Sequence, residues 1–274
     1  MSTSQLLVAT AESTIDVARY SLLMTQEQTQ VRAAQRLRHQ VFAGELGAVL
    51  RSREPGLDVD EFDAYCDHLV VREDRTGEIV GTYRMLPPEA AGRAGGLYCE
   101  TEFMIQGLAS LRAGLVETGR SCVHPDHRTG AVVSLVWAGI ARYMLLTGHR
   151  WLVGCASVPL RTLGAPDGAF AAGVWDTVRA RHLAPEQYRV TPRLPWDVES
   201  AGLGQGARPS DGGDGWRSRR ATVPPLLRGY LRLGAWVCGP PAHDPDFGVA
   251  DFLMLLCLDR MDARYLRHFL GERA

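Results

Sequence analysis

The sequence predicts an α/β protein, and three observations lead to this fold class. Apolar runs typical of strands alternate along the chain with segments in which apolar residues recur every three or four positions, as in helices. The 274 residues are 46% hydrophobic and 22% charged, which is the composition of a globular chain with room for one large domain or two modest ones. The stretch from Leu115 to Gly148 predicts a strand, a polar turn and a helix in direct succession.

The N-terminal part of the chain predicts one strand followed by one helix. Residues 1–13 are expected to be loosely ordered, and a largely apolar run predicts a first strand within Ile15–Met24. From Gln28 to about Leu46, apolar residues recur on one helical face. Thr25 is the expected N-cap of this helix, and Gly47 is its expected end.

A β-hairpin is predicted next, with strands at His68–Arg72 and Glu78–Leu86 and a turn at Arg75–Gly77. Just ahead of the hairpin stand four acids, Asp58, Asp60, Glu61 and Asp63. On charge alone, the ordinary interpretation of these acids is a set of solvated loop carboxylates. Arg38, in the preceding helix, is in the same way most simply a surface arginine whose stem covers apolar neighbours.

The second half of the chain again alternates strands and helices. The predicted elements are a strand at Trp151–Ala156, a helix at Asp167–Arg181, an extended segment at Tyr188–Pro195, a short helix at Pro224–Leu233, a strand at Asp251–Leu258 and a closing helix at Asp259–Leu270. Residues 197–220 are rich in glycine and poor in apolar residues. We therefore predict a core over residues 14–196, a flexible loop over 197–223 and a C-terminal segment over 224–274 that completes the same domain.

The central stretch predicts a strand at Leu115–Val123, a polar turn at His124–Gly130 and a helix at Ala131–Thr147 that ends at Gly148. The N–H groups at the start of a helix, together with the positive end of its dipole, favour a phosphate. Arg128 in the turn would add a positive charge for the same anion. On geometry alone, an ordinary connection between a strand and a helix remains open.

Composition excludes several classes of partner and cofactor. The formal net charge of −1 gives no electrostatic reason to expect nucleic acid. We see no signal peptide, and the longest apolar run is interrupted by Arg142 before the roughly 18 residues that a membrane span needs. The six cysteines have no CxxC pair, and His124 and His127 have no third ligand at metal-binding spacing. We predict reduced thiols, no metal and a cytoplasmic location.

The turn resembles the acyl-donor loop of the GNAT superfamily of N-acyltransferases. The run from His127 to Val132 has the central glycine of that loop, but it has His at the first position and Val at the last. Further segments resemble, in order, the ornithine N-acyltransferases of bacterial ornithine-lipid synthesis, and the same skeleton resembles the acyl-homoserine-lactone synthases. These segments are LRHQVF (Leu37–Phe42), DEFDAYCDHLVV (Asp60–Val71), GTYRMLP (Gly81–Pro87), ETEF (Glu100–Phe103) and ETGRSCVHPDHRTG (Glu117–Gly130).

The resemblance implies a GNAT-type mixed central sheet flanked by helices, with a C-terminal α/β extension. It also implies transfer of a long-chain fatty acyl group from an acyl carrier protein thioester to the α-amine of an amino acid, most simply ornithine. Acyl-CoA stays open as the donor, although a residue as large as Val132 in the loop would crowd a CoA pyrophosphate and favours a carrier-bound phosphopantetheine. The lipid-like product would allow peripheral contact with the inner membrane surface.

Two alternatives remain beside this function. The acceptor could be another amino acid, a polyamine or the amine of a peptide natural product. A protein of a different class, which binds an acyl carrier or a membrane surface without catalysis, would have no need of a proton acceptor.

The chemistry assigns roles to the residues of these segments. An amine must lose a proton before it attacks a thioester, and Glu117 is the predicted base, with Arg120 as its catalytic neighbour. A structural Glu117–Arg120 ion pair is the alternative. The predicted acceptor-binding residues are Arg38, Phe42, Asp60, Asp63 and Arg84. The predicted donor-binding residues are Val123, Arg128, Thr129, Gly130 and Ala131, with backbone N–H groups near Val123 for the oxyanion.

Overall fold

In a computed structural model, the described residues are 3–10, 19–162, 167–196 and 222–261. The predicted glycine-rich loop, most of the closing helix and the first half of the strand predicted at Ile15–Met24 lie outside these residues. Contacts divide the chain into two compact units. The first consists of Met1–Leu97, Ala113–Leu152 and Met261–Ala274, and the second of Tyr98–Arg112 and Val153–Arg260. The domain boundaries drawn from the sequence stay a prediction.

Eleven strands lie within the described residues: β1 (Ser4–Ala9), β2 (Tyr20–Thr25), β3 (Asp67–Glu73), β4 (Ile79–Leu86), β5 (Phe103–Met104), β6 (Leu115–Val123), β7 (Trp151–Pro159), β8 (Thr191–Pro192), β9 (Trp236–Val237), β10 (Ala242–Asp244) and β11 (Val249–Cys257). The α-helices there are α1 (Gln28–His39), α2 (Pro88–Ala91), α3 (Gly130–Thr147), α4 (Ala169–Arg179) and α5 (Pro225–Arg232). A π-helical turn, Gln40–Glu45, continues α1.

The first unit is built on an antiparallel sheet in the order β1-β2-β3-β4-β6. Helix α3 packs against β1 to β4, where Val132 approaches Gly81. Helix α1 packs against β3, β4 and β6, on the face to which Arg84 of β4 points. Gly81 and Arg84 are an odd number of residues apart in one strand, so their side chains face opposite sides of the sheet. The two helices therefore cover opposite faces.

Helix α3 lies very close to its sheet at Gly139. A Cβ atom at this position would stand 2.4 Å from Leu22 Cδ2 on β2, so a larger residue here would require the Leu22 side chain to move. By length and composition α3 could cross a membrane, and it is the one helix of that kind in the part of the chain that the structure describes. Half of it is buried, as expected of a helix that packs on a core sheet.

In the second unit, β11 pairs with β10 and β9 in antiparallel fashion and also neighbours β7. The short strands β5 and β8 form a separate antiparallel pair. Nearly every residue of β11 is buried, in agreement with the apolar run that predicted it. Helices α4 and α5 confirm the two helices predicted in this half of the chain.

Most predicted elements are confirmed, two corrections fall at the N-terminus, and the short strands β5, β9 and β10 were not predicted. Residues 1–13 contain β1, whose stability comes from pairing with β2 rather than from a local pattern. Thr25 is the last residue of β2 and not a helix N-cap, because the helix begins only at Gln28. Its hydroxyl instead accepts a hydrogen bond from the Glu27 N–H at 2.9 Å and so shapes the connection into α1.

Candidate active site

Four of the residues predicted to bind the acceptor meet in the interior of the first unit. Arg38 on α1 is fully buried, and Asp63 and Arg84 are 7% and 5% exposed. The Arg38 guanidinium donates to both oxygens of the Asp63 carboxylate, with Nη1–Oδ1 and Nη2–Oδ2 distances of 3.0 and 2.7 Å. Arg84 Nη1 lies 2.9 Å from Asp63 Oδ1 and also donates to Asp60. Asp63 is therefore held between two guanidinium groups.

Asp58 extends this group to a third arginine. Its Oδ2 atom lies 2.8 Å from Arg38 Nε and 3.2 Å from Arg120 Nε. Arg120 Nη2 also lies 3.2 Å from Asp60 Oδ2. The three arginines and three aspartates, which we call the arginine–aspartate cluster, balance one another in formal charge.

The ordinary interpretations of these residues from charge alone are wrong. Asp58 and Asp63 are buried acids rather than solvated loop carboxylates, because each is paired with arginine. Arg38 is an interior residue rather than a surface arginine. Glu61, in contrast, is exposed, as that interpretation requires.

The electrostatics keep Asp63 and Arg84 charged. Burial by itself would raise the pKa of Asp63, but hydrogen bonding to Arg38 and the charges of Arg38 and Arg84 outweigh it and hold this pKa well below its ordinary value. Burial would likewise lower the pKa of Arg84, but Asp60 and its neighbours raise it above the ordinary value. Asp63 therefore acts as a fixed anion and not as a proton acceptor.

Exposure separates the members of the cluster into two groups. The Arg38 side chain is 0% exposed, whereas those of Asp60 and Arg120 are 19% and 14% exposed. These two are the most exposed members of the cluster, although the Asp60 Oδ2 and Arg120 Nε atoms are themselves buried. Phe42, the remaining predicted acceptor-binding residue, lies in the π-helical turn and is 8% exposed.

Strand β6 carries a β-bulge at the edge of this cluster. Between Thr82 and Arg84 of β4 the pairing advances by one more residue on β6 than on β4. Arg120 lies in the bulge with φ +53°, and it is the one non-glycine residue with positive φ in the ranges that the structure describes. Bulges and left-handed residues of this kind concentrate at functional sites.

Glu117, the predicted base, faces the same side of the sheet as the cluster. In the β4–β6 ladder Leu86 pairs with Glu117 and Arg84 pairs with Gly119, so Glu117 and Arg84 point to one face. Glu117 is 6% exposed. Burial raises the pKa of the nearby Cys66 thiol to about 12, and the charge of Glu117 adds to that rise. Glu117 is thus an interior acid beside the cluster.

The predicted donor corner is the accessible turn between β6 and α3. Val123 is half-buried, whereas Thr129, Gly130 and Ala131 are exposed. Thr129 is the N-cap residue of α3, and within the described contacts its side chain caps none of the helix N–H groups. The first turn of α3 therefore has the accessible start that an anion-binding helix needs.

Arg128, which was predicted to bind the donor phosphate at this corner, forms an ion pair with Glu45. Its Nη1 and Nη2 atoms lie 2.6 and 2.5 Å from the two carboxylate oxygens of Glu45, and its Nε donates to the Val123 carbonyl at 3.1 Å. The hydrogen bond from Arg128 lowers the pKa of Glu45, and the carboxylate in turn raises the pKa of Arg128. The positive charge predicted for the donor is therefore balanced in the free protein.

Val132 does not restrict the donor site in the way that its size suggested. The side chain is 0% exposed and packs toward Gly81 in the core beneath α3. A group this deeply buried cannot crowd a pyrophosphate at the exposed helix start, so the preference for a carrier protein over CoA loses that support.

A group of acids in the second unit was not predicted from the sequence. The carboxylates of Glu102, Asp244 and Asp251, which we call the acid cluster, lie within 4.8 Å of one another. Burial, followed by the charges of the two aspartates, raises the pKa of Glu102 to about 9. Cys155 Sγ donates to Glu102 at 3.3 Å, and Ser157 donates to Asp251 at 2.6 Å.

Glu102 belongs to the ETEF segment, but its two partners lie far along the chain on β10 and β11, where no spacing marks them. In the described part of the chain, the three carboxylates of the acid cluster are the group whose oxygen atoms lie close enough together to bind one cation. The expectation of no metal therefore stays a prediction.

The bulged antiparallel sheet and the open turn into α3 define the fold of a GNAT-type acyltransferase. The family described as "Acetyltransferase (GNAT) domain" matches residues 37–138. The CoA-dependent acyl-homoserine lactone synthase BjaI, solved with SAM and isopentyl-CoA, superposes with a TM-score of 0.50 over 90% of this chain and 85% of that one. At 16% identity, this similarity concerns the fold alone.

Two curated relatives are closer in sequence. The L-ornithine N(alpha)-acyltransferase of Rhizobium meliloti (strain 1021) is 33% identical over 269 residues, which cover 92% of this chain and 85% of the relative. The enzyme of the same name from Rhodobacter capsulatus is 33% identical over 261 residues, which cover 93% and 95%. The chain belongs to the family of the L-ornithine N(alpha)-acyltransferases, and it is an acyltransferase. The predicted family and fold class are confirmed.

Proposed function

We propose that this protein transfers a long-chain fatty acyl group from an acyl carrier protein thioester to the α-amine of ornithine. The observation that carries the proposal is the position of Glu117, a buried acid beside the arginine–aspartate cluster on the strand that leads into the α3 turn. Ornithine is proposed because the relatives are named for it. Acyl carrier protein is proposed from the resemblance in sequence.

The acceptor is bound by the two accessible members of the cluster. Ornithine carries two ammonium groups and a carboxylate. Asp60 binds the side-chain ammonium and Arg120 binds the carboxylate, since these are the most exposed side chains of the cluster. Arg38, Asp63 and Arg84 hold these two side chains in place through the ion pairs of the interior, and Phe42 contacts the aliphatic part of the acceptor.

Glu117 takes a proton from the α-ammonium, directly or through one water. The neutral amine nitrogen then attacks the thioester carbonyl carbon, and a tetrahedral intermediate forms. Backbone N–H groups near Val123 bind its oxyanion. Collapse of the intermediate breaks the C–S bond, and the remaining extra proton of the nitrogen passes to the leaving sulfur, so that the amide and the phosphopantetheine thiol are released.

The donor corner holds the phosphate of the phosphopantetheine arm. Thr129, Gly130 and Ala131 offer the backbone at the start of α3, and Arg128 offers its guanidinium. Because this phosphate occurs both in CoA and on acyl carrier protein, the test must include both donors.

The product would be a lipid, which supports a peripheral contact with the inner membrane surface. On the outer side of α3, Val133, Leu145 and Leu146 are 45%, 50% and 58% exposed. Flotation of the protein with anionic lipid vesicles, compared with zwitterionic ones, tests this contact, and absence from both vesicle fractions would contradict it.

The reaction itself is tested by thiol release and mass spectrometry. The purified protein is mixed with palmitoyl-acyl carrier protein or palmitoyl-CoA, and with ornithine, lysine, glycine, putrescine or no amine. We expect thiol release that requires ornithine, together with a product acylated at the α-nitrogen. Thiol release that does not depend on an amine would overturn the proposal, and a much faster reaction with another amine would reassign the acceptor.

A further inference from the structure

Glu45 joins the π-helical turn after α1 to the turn that precedes α3. Both of its carboxylate oxygens accept hydrogen bonds from the two Nη atoms of Arg128, at 2.6 and 2.5 Å. The remaining Nε–H of Arg128 donates to the Val123 carbonyl. Every nitrogen of this guanidinium is therefore engaged by the protein itself.

The geometry of this pair is the one that a phosphate would take. The planar guanidinium binds two oxygens of a carboxylate or of a phosphate in the same bidentate manner. Glu45 thus places two oxygen atoms where two phosphate oxygens would bind.

Arg128 can also exchange Glu45 for another anion at little cost. The side chains of Arg128 and Glu45 are 43% and 36% exposed. Exposed ion pairs contribute little to stability because water solvates both partners when they separate. The Nε contact with Val123 can hold Arg128 at the turn while its Nη atoms change partner.

The position of Arg128 connects the pair to the donor. It lies two residues before Gly130, where the exposed start of α3 favours an anion. A phosphate at that helix start gains the charge of Arg128 only if Glu45 releases it, and the Glu45 carboxylate repels the phosphate until then.

We propose that Glu45 is a positioning residue that occupies Arg128 in the free enzyme and is displaced by the phosphate of the acyl donor. The inference rests on the proposed function, since it concerns the same donor site. Glu45 therefore sets the donor affinity by competition.

Steady-state kinetics of Glu45→Gln test the competition. The Michaelis constants for palmitoyl-CoA and palmitoyl-acyl carrier protein are measured at saturating ornithine. We expect a fall in the donor KM of roughly two- to five-fold, on the scale of one exposed ion pair, with the change in KM rather than in kcat. Glu45→Asp, which keeps the charge, should return KM toward the wild-type value. Arg128→Ala should raise KM, and Glu45→Gln should have no further effect in that background.

Glu54→Gln is the matched control. It removes the same charge from another exposed ion pair of the first unit, the one between Glu54 and Arg32. The side chains of Arg32 and Glu54 are 37% and 46% exposed. We expect no change in the donor KM. A KM that is unchanged or raised in Glu45→Gln would overturn the inference. So would the same fall in Glu54→Gln or in the Arg128→Ala background.

Calorimetric binding of free CoA separates this inference from the proposed function. If the wild-type protein transfers no acyl group to any amine, the proposed function fails. Tighter CoA binding by Glu45→Gln than by the wild type would then still support the competition. In that case, CoA binding by Glu45→Gln that is as weak as or weaker than that of the wild type would overturn the inference. Undetectable CoA binding by both proteins would also overturn it.

Discussion

Both compact units bring three carboxylates close together, but in each group the pKa of one acid is shifted, and the two shifts have opposite directions. In the arginine–aspartate cluster, the pKa of Asp63 is lowered despite its burial, because Arg38 and Arg84 surround it. In the acid cluster, burial and the neighbouring aspartates raise the pKa of Glu102 to about 9. Burial acts in the same direction on both acids. The charge of the neighbours therefore decides which acid stays ionised.

The difference gives the two acids opposite effects on stability as the pH changes. The folded pKa of Asp63 lies below its ordinary value of 3.8, so its contribution is present above that pH and is lost on acidification. The folded pKa of Glu102 lies above its ordinary value of 4.5. Its contribution is therefore complete below pH 4.5 and is lost as the pH rises toward about 9.

The largest expected effect comes from removing an arginine of the first cluster. Arg38→Met should lower the free energy of unfolding by about 3–5 kcal/mol, because it leaves Asp58 and Asp63 buried with one cation fewer. Urea denaturation at pH 7 measures this change. Arg38→Lys keeps the charge but loses the bidentate fork, so it should fall between the wild type and Arg38→Met.

Arg32→Met is the control, because Arg32 on the same helix belongs to an exposed pair. It should change the free energy of unfolding by less than about 1 kcal/mol. Equal losses in Arg32→Met and Arg38→Met would contradict the distinction between an interior scaffold and a solvated pair.

The next effect concerns Glu117, which lies beside the first cluster but is assigned to the chemistry. Glu117→Gln should lower turnover by roughly 10²-fold, the scale of a lost general base, and leave the urea midpoint close to that of the wild type. Amine-dependent thiol release measures the rate. Wild-type turnover in a folded Glu117→Gln protein would remove Glu117 from the mechanism. A large loss of stability would instead favour the structural ion pair with Arg120.

Local pattern was sufficient to predict the elements that carry the site. The strand Leu115–Val123 was predicted with its observed bounds, and Gly148 ends α3 with the left-handed φ of +73° expected at a helix end. The hairpin was predicted because its turn and its two apolar strands are contiguous. Each of these features depends on residues that are near one another in the chain.

Contacts between distant residues could not be predicted in this way. Asp58 and Asp63 have the same local sequence signature as solvated acids, and only the approach of α1 to the sheet makes them interior residues. The side of α3 on which Val132 falls depends on its packing at Gly81. The acid cluster combines a loop acid with residues of β10 and β11, and β10 itself was missed.

The smallest expected effect comes from removing the proton-binding acid of the second unit. Glutamine resembles a protonated glutamate in shape and charge, so Glu102→Gln should cost little where Glu102 holds its proton. Near pH 9 the wild-type cluster begins to lose that proton, and we expect the thermal midpoint of Glu102→Gln to lie a few degrees above that of the wild type, roughly 3 °C. At pH 5 the two midpoints should differ less.

The control for this prediction is Glu100→Gln, in the same segment of the chain. Glu100 forms a partly exposed ion pair with Arg112, so its removal should shift the midpoint by a similar small amount at both pH values. A difference between Glu102→Gln and the wild type that is the same at pH 5 and pH 9 would show that Glu102 does not titrate in this range. In that case a bound cation, rather than a shared proton, would offset the repulsion among the three carboxylates of the acid cluster. A rise in the thermal midpoint of the wild type on addition of Mg²⁺ or Ca²⁺ would identify that case.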